Sequence, residues 1–166
     1  MASAVDACAS VEIVHADAEA LNSALIAATE GEEVLLASPN DISPQLLSLF
    51  ILNKNVVTEP SIEQFSTIAT GITDAFCAIA STGSVCVPVS KNLTVPISML
   101  TRKHIVIVRR DTIVPKPRDV FSLKFMGSKG VRSSFSIITG PSATADMGPL
   151  VRGVHGPGKL HIIVLE

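Results

Sequence analysis

The sequence predicts an α/β protein built on a mostly parallel sheet with an added β-hairpin, and three observations carry that prediction. Short apolar runs alternate with helix-period segments through the first half, the pattern of strand–crossover–strand units. Two β-rich runs flank Ser81-Thr82-Gly83, which reads as a tight hairpin connection. Residues 104–108 and 160–165 are almost wholly aliphatic, so each is a strand that must be buried.

The elements follow in order. Residues 17–29 place Leu21, Ala24, Leu25 and Ala28 at helical spacing, and Gly31 stops that helix. Residues 33–37 read as a short buried strand. Ser43-Pro44 is an N-cap followed by proline at the first helical position, with Leu46, Leu47, Leu49 and Phe50 as the packed face. Residues 55–58 form another short strand. Ser61 and Gln64 have capping-box spacing, which opens a helix running to Thr70 and ended by Gly71. Residues 74–80 and 84–89 are the hairpin strands. With Thr82-Gly83 as the two-residue loop, Cys86 faces Ile79, and Cys77 and Cys86 fall on opposite faces. Residues 96–100 make a helical turn, and 113–114 continue the sheet until Pro115 and Pro117 break it. Residues 119–126 form a short helix, and 134–139 a strand. The twenty or so residues between that strand and 160–165 are rich in Gly and Pro. An irregular segment of that length inside a domain is more often functional than not.

The totals bound the function. A chain of 166 residues fits one domain, and 47% hydrophobic against 17% charged residues suffices for a true core. There is no Trp or Tyr and only six Phe, so Val, Ile, Leu and Ala build it. No apolar run reaches the ~18–20 residues of a membrane span, and residues 1–14 lack a secretory pattern. The expectation is a cytoplasmic protein that does not enter a membrane.

Cys8, Cys77 and Cys86 show no metal spacing and no C-x-x-C pair, so the chain alone is not expected to hold an iron–sulfur cluster. They read as reduced core thiols. Net charge is −2, but it is divided: residues 1–101 carry −9 and residues 102–132 carry +7. Without a basic excess or aromatic stacking surface, nucleic acid is not the expected partner. The basic segment is either a solvated face or a site for an anion or an acidic partner.

Within the late loop stand Gly140-Pro141-Ser142-Ala143-Thr144-Ala145-Asp146 and then Gly153-Val154-His155-Gly156-Pro157, followed by Leu160-His161. In that order they resemble the C-terminal signature of the lactate-utilisation (LUD) family, in its C-like branch. Upstream, residues 71–83 are similar to the family's strand–hairpin motif, and 104–108 to the apolar strand that follows. The resemblance covers about 71–165. It implies a Rossmann-like sheet with added β-structure, akin to the superfamily of sugar-phosphate isomerases and CoA-transferases. It also implies a role near the oxidation of lactate to pyruvate, beside partner subunits that carry the iron–sulfur clusters. The chain departs from the family at Ser81, where members commonly place Glu, so a carboxylate acting there is in doubt.

Candidate chemistry gathers on that loop. Gly140, Ser142, Thr144 and Gly156 offer close backbone approach, hydroxyls and N–H groups for a small carboxylate or phosphate. Such ligands bind beyond the carboxyl ends of strands in open α/β sheets. The bland alternative is a turn whose hydroxyls serve its own backbone. Asp146 and His155 could pair, making His155 an acid–base group or carboxylate ligand. With Ser142 they permit a Ser-His-Asp reading, against which G-P-S-A-T lacks the final glycine of a nucleophile elbow. By resemblance Thr82 and Gly83 join the ligand contacts. Arg109, at the end of the 104–108 strand, could clamp an anion or simply be a solvated end charge. His155 and His161 do not make a metal site, which needs three convergent ligands. Three functions stay open: a non-redox subunit or regulatory ligand-binding protein of lactate utilisation; a stand-alone enzyme acting on a phosphorylated or acyl substrate; and a docking module using 102–132. A homo-oligomer is compatible with each.

Overall fold

A computed structural model describes residues 2–7, 9–37, 43–50, 53–89, 94–122, 134–146 and 148–166. Helix α1 (Ala2–Asp6) leads into strand β1 (Ser10–Val14). Helix α2 (Ala18–Thr29) is capped by the Asp17 carboxylate, which accepts from Ala20 N at 2.8 Å, and ends at Glu30 in a left-handed conformation. Then come β2 (Val34–Leu36), α3 (Pro44–Phe50), β3 (Val56–Val57) and α4 (Ile62–Thr67). The Ser61/Gln64 capping box is present.

β4 (Thr70–Asp74), β5 (Cys77–Ile79), β6 (Ser84–Pro88), α5 (Thr94–Leu100) and β7 (Lys103–Arg109) follow. After a 3-10 turn, Arg110–Thr112, come β8 (Ile113–Val114) and a second 3-10 turn, Pro117–Phe121. The chain closes with β9 (Phe135–Thr139), β10 (Ala143–Thr144), β11 (Val151–Arg152) and β12 (Lys159–Leu165).

Six strands form an all-parallel sheet in the order β1-β12-β7-β4-β2-β3. A second sheet runs β8-β5-β6-β9, and β10-β11 is a two-stranded ribbon. Alternation along β7 explains the layering, because successive side chains point to opposite faces. Ile105 and Ile107 join Leu21, Leu25, Phe50 and Ile97 beneath the helices. Val106 and Val108 join Val85 and Val87 against the second sheet. The parallel sheet therefore carries α2, α3 and α5 on one face and the second sheet, with α1, on the other. Full burial of each such aliphatic side chain contributes about 1.5–3 kcal/mol.

Several expectations need correction. The helix opened by Ser61 ends at Thr67, and Thr70–Asp74 is a strand in the middle of the parallel sheet. Gly71 is no helix stop: a Cβ there would lie 2.4 Å from Ile97 Cγ2, so its smallness lets α5 rest on β4. Residues 74–80 are not one strand but are divided between the two sheets. Cys77 pairs directly with Cys86 in register, so the two share a face. The hairpin connection is four residues long, because Ala80 N and Ser81 N donate to Val114 O and Pro115 O rather than across to β6. Both thiols are free and buried, and their mutual hydrogen bond and burial push Cys77 up. Cys8 lies outside the described residues. The helix expected at 119–126 is a 3-10 turn ending at Phe121, and 123–126 lie outside the described residues. The late loop is not structureless, since it contains β10 and β11.

Candidate functional site

β4, β7 and β12 start side by side, with Thr70, Lys103 and Lys159 on one rung. The chain entering each strand is tied to its neighbour. Arg102 N donates to Ala69 O at 2.8 Å, and Gly158 N donates to Arg102 O at 3.0 Å. The 152–158 segment thereby folds over the amino ends of the strands. A cleft of about 800 Å³ results, lined by Arg102, Lys103, Arg152, His155 and Lys159 and also by the carboxylates Glu30 and Glu32.

Like charges on adjacent strands repel where water is scarce. Burial, and then the Lys159 charge, lower the pKa of Lys103, while Glu30 acts in the opposite direction. Lys103 Nζ donates to Ala28 O in the last turn of α2, where the helix dipole favours a cation. Among the described residues, no ion pair engages Arg102, Arg152 or Lys159.

This location corrects one premise. The loop after Gly140 does not lie beyond the carboxyl end of a parallel strand. β9, which precedes it, is an edge strand of the second sheet and runs antiparallel to β6. The cleft is at the amino ends of β4, β7 and β12. The order reversal that usually marks a ligand crevice lies between β2 and β4.

A second pocket of about 320 Å³ adjoins the cleft and shares Met99, His155 and Gly156 with it. It brings together Gly140, Ser142, His155 and Gly156. Ser142 is fixed through its backbone: its N–H donates to Pro157 O at 2.8 Å, and its carbonyl accepts from Gly153 N at 3.0 Å. A Cβ on Gly156 would lie 3.2 Å from Ser142 Cβ, so glycine permits that contact.

The remaining candidates lie elsewhere. Asp146 is exposed and accepts from Thr144 Oγ1 at 3.2 Å. Among the described residues no hydrogen bond joins it to His155, and neither Asp146 nor Thr144 lines either pocket. Arg109 ends β7, six residues and about 20 Å of strand from Lys103, with Asp111 at 3.9 Å. Arg110 pairs with Glu166, and Arg118 lies 3.8 Å from Asp119. The described cations of 102–132 are thus divided between opposite ends of the sheet. Thr82 Oγ1 lies 2.7 Å from Ser84 Oγ, which lies 2.7 Å from Thr139 Oγ1. Gly83 and Gly140, both at positive φ, meet the chain's own N-terminal backbone: a Cβ would come within 2.2 Å of Ala4 and 2.1 Å of Ala7 O.

Two arrangements escaped sequence reasoning. His104 lines the second pocket, with Nε2 2.8 Å from Thr73 Oγ1. A histidine inside a β-branched strand was the signal, because a buried polar ring needs partners. His161 Nδ1 lies 2.6 Å from Ser10 Oγ, and its Nε2 lies 3.4 Å from Glu12. That serine–histidine–glutamate set lies along paired strands β1 and β12, away from both pockets, and burial lowers the imidazole pKa against the pull of Glu12. Among the described residues no three metal-ligating side chains converge, and no helix is long and apolar enough to cross a membrane.

An all-parallel sheet roofed by a second β-layer, with a cleft lined by cationic side chains at its amino edge, defines the class as α/β. The family follows from comparison: the model described as LUD domain matches residues 13–165, and this chain belongs to the LUD domain family. It is 35% identical over 100 residues to lactate utilization protein C of Bacillus licheniformis, across 58% of this chain and 42% of that one. It is 29% identical over 148 residues to lactate utilization protein C of Anoxybacillus flavithermus, across 85% of this chain and 66% of that one. The chain thus spans about half the length of the curated relatives it matches. A DUF162 family protein from Deinococcus radiodurans shares the fold, with a TM-score of 0.70 and 22% identity over 99% of this chain and 93% of that one.

Proposed function

We propose that this chain is a non-redox subunit or regulatory ligand-binding protein of lactate utilisation, and that it takes a small carboxylate in the cleft at the amino ends of β4, β7 and β12. The observation that carries this reading is the side-by-side placement of Lys103 and Lys159 in a cleft that also holds Arg152 and Arg102. A carboxylate seated between them relieves their repulsion and gains charge-assisted hydrogen bonds. His155 and the backbone around Gly156 close the side of the cleft nearest the signature loop. The relatives' printed name supplies lactate utilisation as the context. The chain's cysteines lack iron–sulfur spacing, so electron transfer falls to partner subunits.

A thermal-shift series with lactate, pyruvate, glucose 6-phosphate and CoA tests this. A ligand at 100 times its Kd adds about 2.7 kcal/mol of stability, so lactate or pyruvate should raise the melting temperature. Failure of all four to do so removes the ligand reading. A response to CoA or the sugar phosphate alone favours the stand-alone enzyme instead.

A further inference from the structure

The second pocket has a floor that the anion reading leaves unused. His104, the second residue of β7, is 1% exposed. Its Nε2 meets the hydroxyl of Thr73, itself fully buried, while Nδ1 has no hydrogen-bond partner and no access to solvent. Two proton arrangements fit the Thr73 contact. If Nε2 donates, the Thr73 hydroxyl proton and the Nδ1 lone pair are both left over among the described residues. If Thr73 donates, only the Nδ1–H is left over. The second arrangement strands fewer buried groups, so Nδ1 carries the proton. Burial holds this imidazole down to about 3, which makes it a neutral donor throughout the physiological range.

The rest of the pocket fits a neutral guest. Met99, Ile138, Pro141 and Leu160 supply apolar wall, the lining includes several hydroxyl residues, Ser142 among them, and no Lys or Arg is among the described lining. A carboxylate entering it would shed hydration with no countercharge to replace it. The volume of about 320 Å³ is at the small end of the roughly 300–1,000 Å³ typical of ligand sites.

We propose that this pocket is a second binding site, for a small uncharged molecule whose carbonyl oxygen accepts the hydrogen bond of His104 Nδ1–H. Because Nδ1 is covered in the ligand-free chain, admission requires wall side chains to turn aside. Met99 and His155 are exposed and border both pocket and cleft. The site is independent of the cleft cations.

Histidine-labelled protein observed by nitrogen NMR tests the proposal, with benzamide and benzoate as neutral and anionic probes of one shape. The unaltered chain should show His104 as the Nδ1–H tautomer. Benzamide at millimolar concentration should shift that signal, and benzoate should not. His104→Phe, folded by circular dichroism, should weaken benzamide binding roughly tenfold, the value of one lost hydrogen bond. An Nε2–H tautomer, a signal indifferent to benzamide, or an equal response to benzoate overturns the proposal. Tautomer and titration are read on the unaltered chain, so a variant that fails to fold does not remove the test. Either outcome leaves the cleft reading untouched.

Discussion

Lys103 and Lys159 occupy the same rung of the β7–β12 ladder and face one cleft, a like-charged pair on adjacent strands at the edge of the core. Replacing Lys159 with Gln should let the Lys103 pKa climb back toward its ordinary value, since the Lys159 charge is one of the two influences lowering it. Lys159 is exposed, so the gain in stability should be only a few tenths of a kcal/mol. Urea denaturation at low and high salt checks this. The gain should disappear in high salt, where the repulsion is already screened.

Acid should destabilise the fold through His104. Its pKa in the folded chain is about 3, against 6.5 for an ordinary imidazole, because burial disfavours the charged ring. Between pH 6.5 and 3 the unfolded chain binds a proton that the folded chain does not, so stability falls as pH falls. The full loss is on the order of 5 kcal/mol. His161 is also held down by burial and acts in the same direction. The urea midpoint should drop between pH 7 and pH 5, and His104→Phe should drop less. Parallel slopes would refute the assignment to His104.

Gly71→Ala should cost about 1–3 kcal/mol, because its Cβ would collide with Ile97 Cγ2 at 2.4 Å and Thr101 Cγ2 at 2.9 Å. Gly31→Ala meets no atom within 4 Å and suffers only from its φ of 77°, for about 1 kcal/mol. Chemical denaturation of the two variants should rank them in that order.

Cys77 and Cys86 should resist alkylation in the native chain and react once it is unfolded, since both are fully buried. Only the thiolate reacts, and Cys77 is held protonated by its hydrogen bond with Cys86 and by burial. Peptide mapping after brief iodoacetamide treatment reads both sites separately.

Much of the fold was legible because aliphatic runs and caps are local signals. Residues 104–108 and 160–165 could only be buried strands, and Ser61 and Gln64 announced their helix. Strand β4 was not legible: Thr70, Gly71, Thr73 and Asp74 carry no apolar run, and only its neighbours β2 and β7 make that segment extended. β1 is an edge strand whose Ser10 and Glu12 hide its alternation. The hairpin register slipped by two residues because β8, beyond the reach of local pattern, captures the donors of Ala80 and Ser81. At the site, Ser142, His155 and Gly156 lie close in sequence and do meet. The cleft joins Lys103 to Arg152 and Lys159 across some fifty intervening residues, a convergence that no spacing rule could supply.

Whether the cations at the amino ends of β7 and β12 hold a carboxylate is decided by calorimetric titration of pyruvate. The proteins to compare are the unaltered chain and the Arg152→Gln, Lys159→Gln double variant. Saturable binding should weaken at least tenfold in the variant, the loss expected when charge-assisted hydrogen bonds are removed. Equal affinity in the two proteins would contradict a carboxylate site in the cleft.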